Sequence, residues 1–239
     1  KINIVVPTGN FGNILAAYFA KEMGLPVNKL ICASNANNIL TDFINTGVYD
    51  RNRSFYATTS PSMDILISSN LERLLYILCG RDDNTINEWF SSLKENGKYT
   101  ISDDVKAQIQ SLFSAGCCDD DATKATIGET YKAYDYLADT HTSVAINVCN
   151  AYIEATGDKT PVVIASTASP FKFSKAVLSA VEDEPKCYKD EFSTVKALED
   201  ISGLTAPAQL SALKGKEVRF TKVTAKDDMA QVVFDMLGI

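Results

Sequence analysis

The opening stretch, Lys1 to Ile14, constrains this chain more than any other. Ile2-Asn3-Ile4-Val5-Val6 is a short apolar run rich in β-branched residues, which predicts a buried parallel strand. Pro7 ends it. Thr8-Gly9-Asn10-Phe11-Gly12-Asn13 follows as a glycine-bearing turn, and Ile14, Leu15, Tyr18, Phe19 and Met23 then recur at helical spacing. A strand, a turn of this kind and a helix are a standard arrangement for holding a phosphate. Glycines allow unusual φ values and close backbone approach, and the free N–H groups of the first helical turn point at the anion. Gly9-x-x-Gly12 is neither the dinucleotide fingerprint nor a P-loop, since the third glycine and the Lys-Ser/Thr pair are absent. Asn10 and Asn13 can each donate an amide N–H to a phosphate oxygen or cap the helix. On local chemistry alone, the turn also reads as a plain βα connection without a ligand.

Composition narrows the partners. The net charge of -7 and a pI near 4.8 argue against nucleic acid or an anionic membrane surface. No apolar run approaches the roughly 20 residues that span a bilayer. At 239 residues the chain has room for one large α/β domain or two small ones. Its cysteines form no C-x-x-C pair, and His141 is the only imidazole, so no metal site is predicted. A reduced, cytoplasmic setting fits that cysteine usage.

In chain order, the first helix runs from about Asn13 to Met23 and stops at Gly24-Leu25-Pro26. Leu30–Ala33 supplies a second strand, parallel to the first. Ser34-Asn35-Ala36-Asn37-Asn38 then forms a polar loop at its carboxyl end, where open α/β sheets bind ligands. Ile39, Phe43 and Ile44 begin a helical face that Gly47 ends. Thr58–Asp64 is a hydroxyl-rich turn, and Asn70 is an N-cap candidate for a helix beginning at Leu71. From about Cys79 to Ala115 the chain reads as a small helical insertion, with an extended piece at Gly97–Ile101 and a helical face of Val105, Ile109, Leu112 and Phe113. The acid run Asp119-Asp120-Asp121 reads as a solvated face or a helix N-terminus. His141 sits at a helix start, where a structural donor competes with an acid–base role. Val162–Ala165 is a further buried strand running into Ser166-Thr167-Ala168-Ser169-Pro170, with a helix beyond it. The tail is charged and mixed, with helical pieces at Phe192–Leu198, Ala208–Leu213 and Lys226–Leu237 and an extended Glu217–Phe220. The fold predicted is α/β, an open twisted, mainly parallel sheet flanked by helices.

Val6-Pro7-Thr8-Gly9-Asn10-Phe11-Gly12-Asn13 resembles the phosphate-binding loop of the threonine synthases, pyridoxal-phosphate (PLP) enzymes of the tryptophan-synthase-β fold type. The likeness continues through Ser60–Leu66, Ser69–Leu74, His141-Thr142 and Ser166–Phe173, in the same order. Two positions depart from the pattern: Thr140 stands where many members carry Pro, and Ser169 where many carry His. The resemblance implies that Gly9, Asn10, Phe11, Gly12 and Asn13 hold the cofactor phosphate and that Thr167, with Ser166 the nearby alternative, hydrogen-bonds the pyridine nitrogen. A hydroxyl there, unlike a carboxylate, does not strongly favour a protonated ring nitrogen.

The implied reaction converts O-phospho-L-homoserine and water to L-threonine and phosphate. The family's Schiff-base lysine lies N-terminal to the glycine loop in a Phe-Lys-Asp type segment. Nothing here matches it, and Phe171-Lys172-Phe173 aligns instead with the hydroxyl-bearing segment. The chain therefore reads as residues 1–239 of a large PLP-binding domain, with the catalytic lysine and the small domain expected upstream. Alone it would be inactive, and its exposed apolar surface and sheet edge predict self-association or marginal stability. Ser62, Ser69, Asn70, Arg73 and His141 are weaker candidates for substrate contact. A different reading keeps the fold without the chemistry: a non-catalytic phosphate-ligand-binding or interaction domain.

Overall fold

A computed structural model describes residues 1–182, 184 and 186–239; Asp183, where the sequence begins to turn charged and mixed, lies outside the described residues. The chain divides into two compact units, 1–205 and 206–239.

The first unit is built on a parallel sheet. β1 (Ile2–Pro7) leads into α1 (Gly12–Glu22) and back to β2 (Val27–Ser34), and the two strands pair in parallel from Asn3↔Lys29 to Pro7↔Ala33. Side chains alternate across the pair because a strand repeats every two residues. Ile4, Val6, Leu30 and Cys32 pack on one side, and Val5, Ile31 and Ala33 on the other. Both faces are covered, which explains why β1 is an apolar run rather than an alternating one.

Beyond β2 come α2 (Ile39–Thr46) and β3 (Val48–Asp50), then α3 (Leu71–Leu78) and α4 (Asp83–Asn96). β4 (Lys98–Thr100) pairs antiparallel with β3, which stacks the Tyr49 and Tyr99 rings with centroids 5.3 Å apart. α5 (Asp103–Leu112) runs directly into β5 (Phe113–Cys117), and β5 pairs in parallel with β2. The stretch expected to be a helical insertion thus holds α4 and α5, and Phe113–Ala115 belong to the central sheet. Phe113 continues the apolar spacing of α5, but its ring is needed under the sheet, 5.9 Å from that of Phe11. Tertiary packing overrides the helical pattern there.

α6 (Asp120–Tyr134) and α7 (Thr140–Thr156) follow. Val144, Ala145, Val148 and Cys149 of α7 cover the Val5/Ile31/Ala33 face. β6 (Val162–Ile164) then returns to the far side of β1, giving the order β5-β2-β1-β6. β6 is less buried than expected: it is an edge strand, and Val163 is 51% exposed. A 3-10 turn (Pro170–Phe173), α8 (Ser174–Val181) and α9 (Glu191–Ser202) complete the unit. The sheet is parallel throughout and flanked by helices, as the sequence predicts.

The second unit holds α10 (Ala208–Ser211), two 3-10 turns and α11 (Met229–Leu237), with a Lys222–Asp235 ion pair at 3.3 Å. Glu217–Phe220 is extended in sequence character but joins no strand. No helix among the described residues is long and apolar enough to cross a membrane.

Candidate functional site

The strand order reverses at β1. From there the chain moves outward through β2 to β5 and then comes back to place β6 on the other side. Open parallel sheets hold ligands at such a switch point, outside the carboxyl ends of the strands. A cavity of about 330 Å³ lies there, walled by Val6–Ile14, by Ser62, Met63 and Asn70, and by His141, Thr167, Ala168 and Lys172.

The floor is the turn after β1. Its carbonyls are engaged: Ser68 Oγ donates to Gly9 O at 2.9 Å, and the Asn70 backbone and side-chain N–H groups donate to Asn10 O at 3.1 and 2.8 Å. Its N–H groups are not. Among the described residues, the amides of Gly9, Asn10, Phe11, Gly12, Asn13 and Ile14 find no protein acceptor, whereas Thr8 N donates to Ala33 O and Leu15 N to Phe11 O. A helix start ordinarily recruits a side-chain cap for such donors. Here the N-cap residue is Phe11, which offers none. The turn is therefore a cradle of bare donors at the positive end of α1, suited to a compact anion.

The backbone shape that opens the cradle differs from the sequence expectation. Neither Gly9 nor Gly12 has positive φ; the left-handed residue is Phe11, at φ 64° and ψ 3°. A left-handed non-glycine carries a strain of about 1–3 kcal/mol, and the burial of the Phe11 ring, 1% exposed and against Phe113, offsets it. Phe11 thus lends the site its backbone only. Gly9 is required for a different reason, since a Cβ there would lie 2.6 Å from Ser62 O. A Cβ at Gly12 would lie 3.6 Å from the Asn70 side-chain nitrogen, an ordinary contact, so Gly12 lines the cavity without the steric requirement that Gly9 meets. The Asn10 and Asn13 side chains are exposed at the rim. Asn70 occupies the N-cap position of α3, yet its side chain makes no cap and instead pins Asn10 O.

The opposite wall follows β6. Thr167 lines the cavity, whereas Ser166 turns away: its hydroxyl lies 3.3 Å from Thr142 Oγ1 and 3.4 Å from Tyr136 Oη. Of the two hydroxyls, Thr167 is the one available to a ligand. Lys172 also lines the cavity, its ammonium 5.4 Å from the Phe173 ring centroid. Among the described residues no carboxylate lines the cavity, although the chain as a whole is acidic.

The third side is the turn carrying Ser62. Asp64 anchors it, accepting from Asn35 Nδ2 at 2.8 Å, Thr58 Oγ1 at 2.7 Å and Thr58 N at 2.9 Å. Asp120 adds a second anchor by accepting from Thr59 N and Oγ1. Within the acid run, then, Asp119 caps α6 and Asp120 ties a distant loop. Ser62 N donates to His141 Nε2 at 3.2 Å, and His141 Nδ1 faces Asp139 Oδ1 at 3.3 Å. Asp139 also accepts the backbone N–H groups of His141 and Thr142 and the Thr142 hydroxyl. Burial works to raise its pKa, but the hydrogen bonds from the His141 ring, the Thr142 hydroxyl and the two amides win, holding the carboxyl below its ordinary range. Sequence reasoning missed this grouping, and the Lys172 position with it. Ser69 and Arg73 do not line the cavity.

Fold and site together define a doubly flanked parallel α/β domain with an anion cradle at the switch point of its sheet. Residues 142–233 match the family model described as threonine synthase, C-terminal. The chain is 35% identical over 246 residues to threonine synthase from Saccharomyces cerevisiae, covering 97% of this chain and 48% of that protein. It is 44% identical over 183 residues to threonine synthase-like 1 from Homo sapiens, covering 76% and 24% respectively. Among solved structures, yeast threonine synthase superposes with a TM-score of 0.83 at 32% identity over 100% of this chain and 48% of that one. PLP-bound threonine synthase from Brucella melitensis does so with a TM-score of 0.77 at 39% identity, over 92% and 43%. The chain belongs to the threonine synthase family and spans less than half the length of each of these relatives.

Proposed function

We propose that this domain binds pyridoxal 5'-phosphate at the switch-point cavity. The polypeptide that carries it would then convert O-phospho-L-homoserine and water to L-threonine and phosphate. The observation behind this reading is the row of amides from Gly9 to Ile14 that find no protein acceptor among the described residues, lining a cavity whose far wall carries Thr167. The residues fit the group: a phosphate would take the Gly9–Asn13 donors, and Thr167, which lines the opposite wall, would meet the ring nitrogen. PLP supplies an electron sink when bound. The chain would contribute orientation: the cradle would fix the phosphate, Asn10 and Asn13 would add amide donors at the rim, and the Thr167 hydroxyl, unlike a carboxylate, would not strongly favour a protonated ring nitrogen.

Lys172 lines the cavity with its ammonium toward Phe173, and we assign it no covalent role; on this reading the amine that takes the aldehyde would lie outside these residues. Borohydride trapping of PLP followed by peptide mapping checks this. A pyridoxyl group on Lys172 in the complete polypeptide would overturn it. The free cysteines, among them buried Cys32, Cys118 and Cys149, support a reducing, cytoplasmic setting.

The second reading is a phosphate-ligand-binding or interaction domain without turnover. The likeness to threonine synthase-like 1, a name that stops short of the activity, favours it. Phosphate release from O-phosphohomoserine by the complete polypeptide decides between the two. Threonine formed in step with phosphate supports the enzyme, whereas PLP binding without turnover supports the binding domain.

A further inference from the structure

Two buried residues connect α7 to the exposed Ser62 on the turn across the cavity. Asp139, 1% exposed, stands at the head of α7; His141, 3% exposed, follows in the first turn; and Ser62 sits in the turn across the cavity. Because Ser62 N–H donates to His141 Nε2, that nitrogen is bare and the ring proton belongs on Nδ1, where Asp139 Oδ1 receives it at 3.3 Å. Thr140 Oγ1, also 3.3 Å from Nδ1, and the Phe173 ring, with its centroid 4.7 Å from that of His141, close the remaining sides. The Ser62 residue held in this way is the one whose carbonyl lies where a Gly9 Cβ would be, 2.6 Å away. The imidazole therefore sets how closely the Ser62 turn presses on the anion cradle.

We propose that His141 is a positioning residue for the cradle: a neutral imidazole with its proton on Nδ1 that fixes Ser62 against Gly9 and so preserves the phosphate-binding shape of Gly9–Asn13. The proposal rests on the reading of this cavity as a PLP site. It assigns His141 no contact with the reacting atoms.

Two measurements on the full chain test it. The first titrates PLP and pyridoxal in parallel, because the ratio of their affinities isolates what the phosphate contributes. Wild type should prefer PLP. His141→Phe, which fills the space but accepts no hydrogen bond, should cut that preference about tenfold while leaving pyridoxal affinity nearly unchanged. His141→Gln, whose side-chain carbonyl can take the Ser62 N–H, should restore much of it. A preference that survives in His141→Phe overturns the positioning role while leaving the PLP site intact. A wild type that binds the two aldehydes equally well overturns the PLP site, and the positioning role with it.

The second measurement needs no variant. His141 is the only histidine, so the ¹⁵N imidazole spectrum of the wild-type chain is unambiguous. A protonated Nδ1 and a bare Nε2 are expected near neutral pH. A proton on Nε2 would place two donors face to face and would overturn the proposal even if every variant failed to fold.

Discussion

At the scale of single residues, the site depends on groups whose constraints are steric or electrostatic rather than catalytic. Gly9 is the clearest. Its missing Cβ is the space that the Ser62 carbonyl requires, and that carbonyl is backbone, unable to rotate away. Gly9→Ala should lower stability by about 1–3 kcal/mol in urea denaturation and weaken phosphate binding; an unchanged midpoint would show that the contact yields. Asp139 brings a pH dependence. Its carboxyl is held below the ordinary value of 3.8, so its contribution is fully present above that value and is lost as pH falls through the lower folded one. Asp139→Ala removes a helix cap and the acceptor of the His141 ring, and should cost about 2–4 kcal/mol at pH 7. The difference from wild type should shrink in strongly acid solution. Much of this was hidden in the sequence. Gly9 and Gly12 marked the cradle, but the positive φ fell on Phe11, whose ring is drawn into the core by Phe113 across a long separation. The relay from His141 to Ser62 joins residues far apart in the chain, and no local pattern encodes such a bond.

Among elements, legibility followed burial. β1, α1 and β2 could be read because a strand covered on both faces must be continuously apolar, and because Gly24 and Pro26 end the helix between them. β5 could not: Phe113-Ser114-Ala115-Gly116-Cys117 has little β-branched character, and it continues the spacing of α5 without a breaker. The β3–β4 pair was half visible, as one extended piece without its partner. That pair matters to the site. Buried Tyr49 accepts Ser68 N at 2.8 Å, and Ser68 Oγ in turn holds Gly9 O, so the β3–β4 pair supports the cradle from behind. Burial pushes the Tyr49 hydroxyl up to about 12, with the Ser68 amide working against it, so this support stays protonated and neutral at all ordinary pH. Tyr49→Phe keeps the stacked rings but leaves the Ser68 amide unpaired. A loss of about 1–3 kcal/mol is expected, seen as a lower thermal midpoint. No change would mean that water replaces the hydroxyl.

For the molecule as a whole, the parallel sheet ends in two open strands, and β6 presents Val163 half exposed at one of them. An open edge with apolar side chains is a template for pairing with another chain. Concentration-dependent self-association of the 239-residue chain should appear in sedimentation velocity, and a monodisperse monomer would contradict it. The acidic net charge does not prevent ligand capture, since no carboxylate among the described residues lines the cavity, which presents its own donors. Amide chemical-shift mapping of the ¹⁵N-labelled chain during titration with PLP tests the placement of the cofactor most directly. Shifts should concentrate at Gly9, Asn10, Phe11, Gly12, Asn13 and Ile14, with Thr167 and Ala168 responding across the cavity. Shifts gathered instead around the separate hollow between Trp89 and Gln108, or absent from the Gly9–Ile14 amides, would contradict a phosphate cradle at the head of α1.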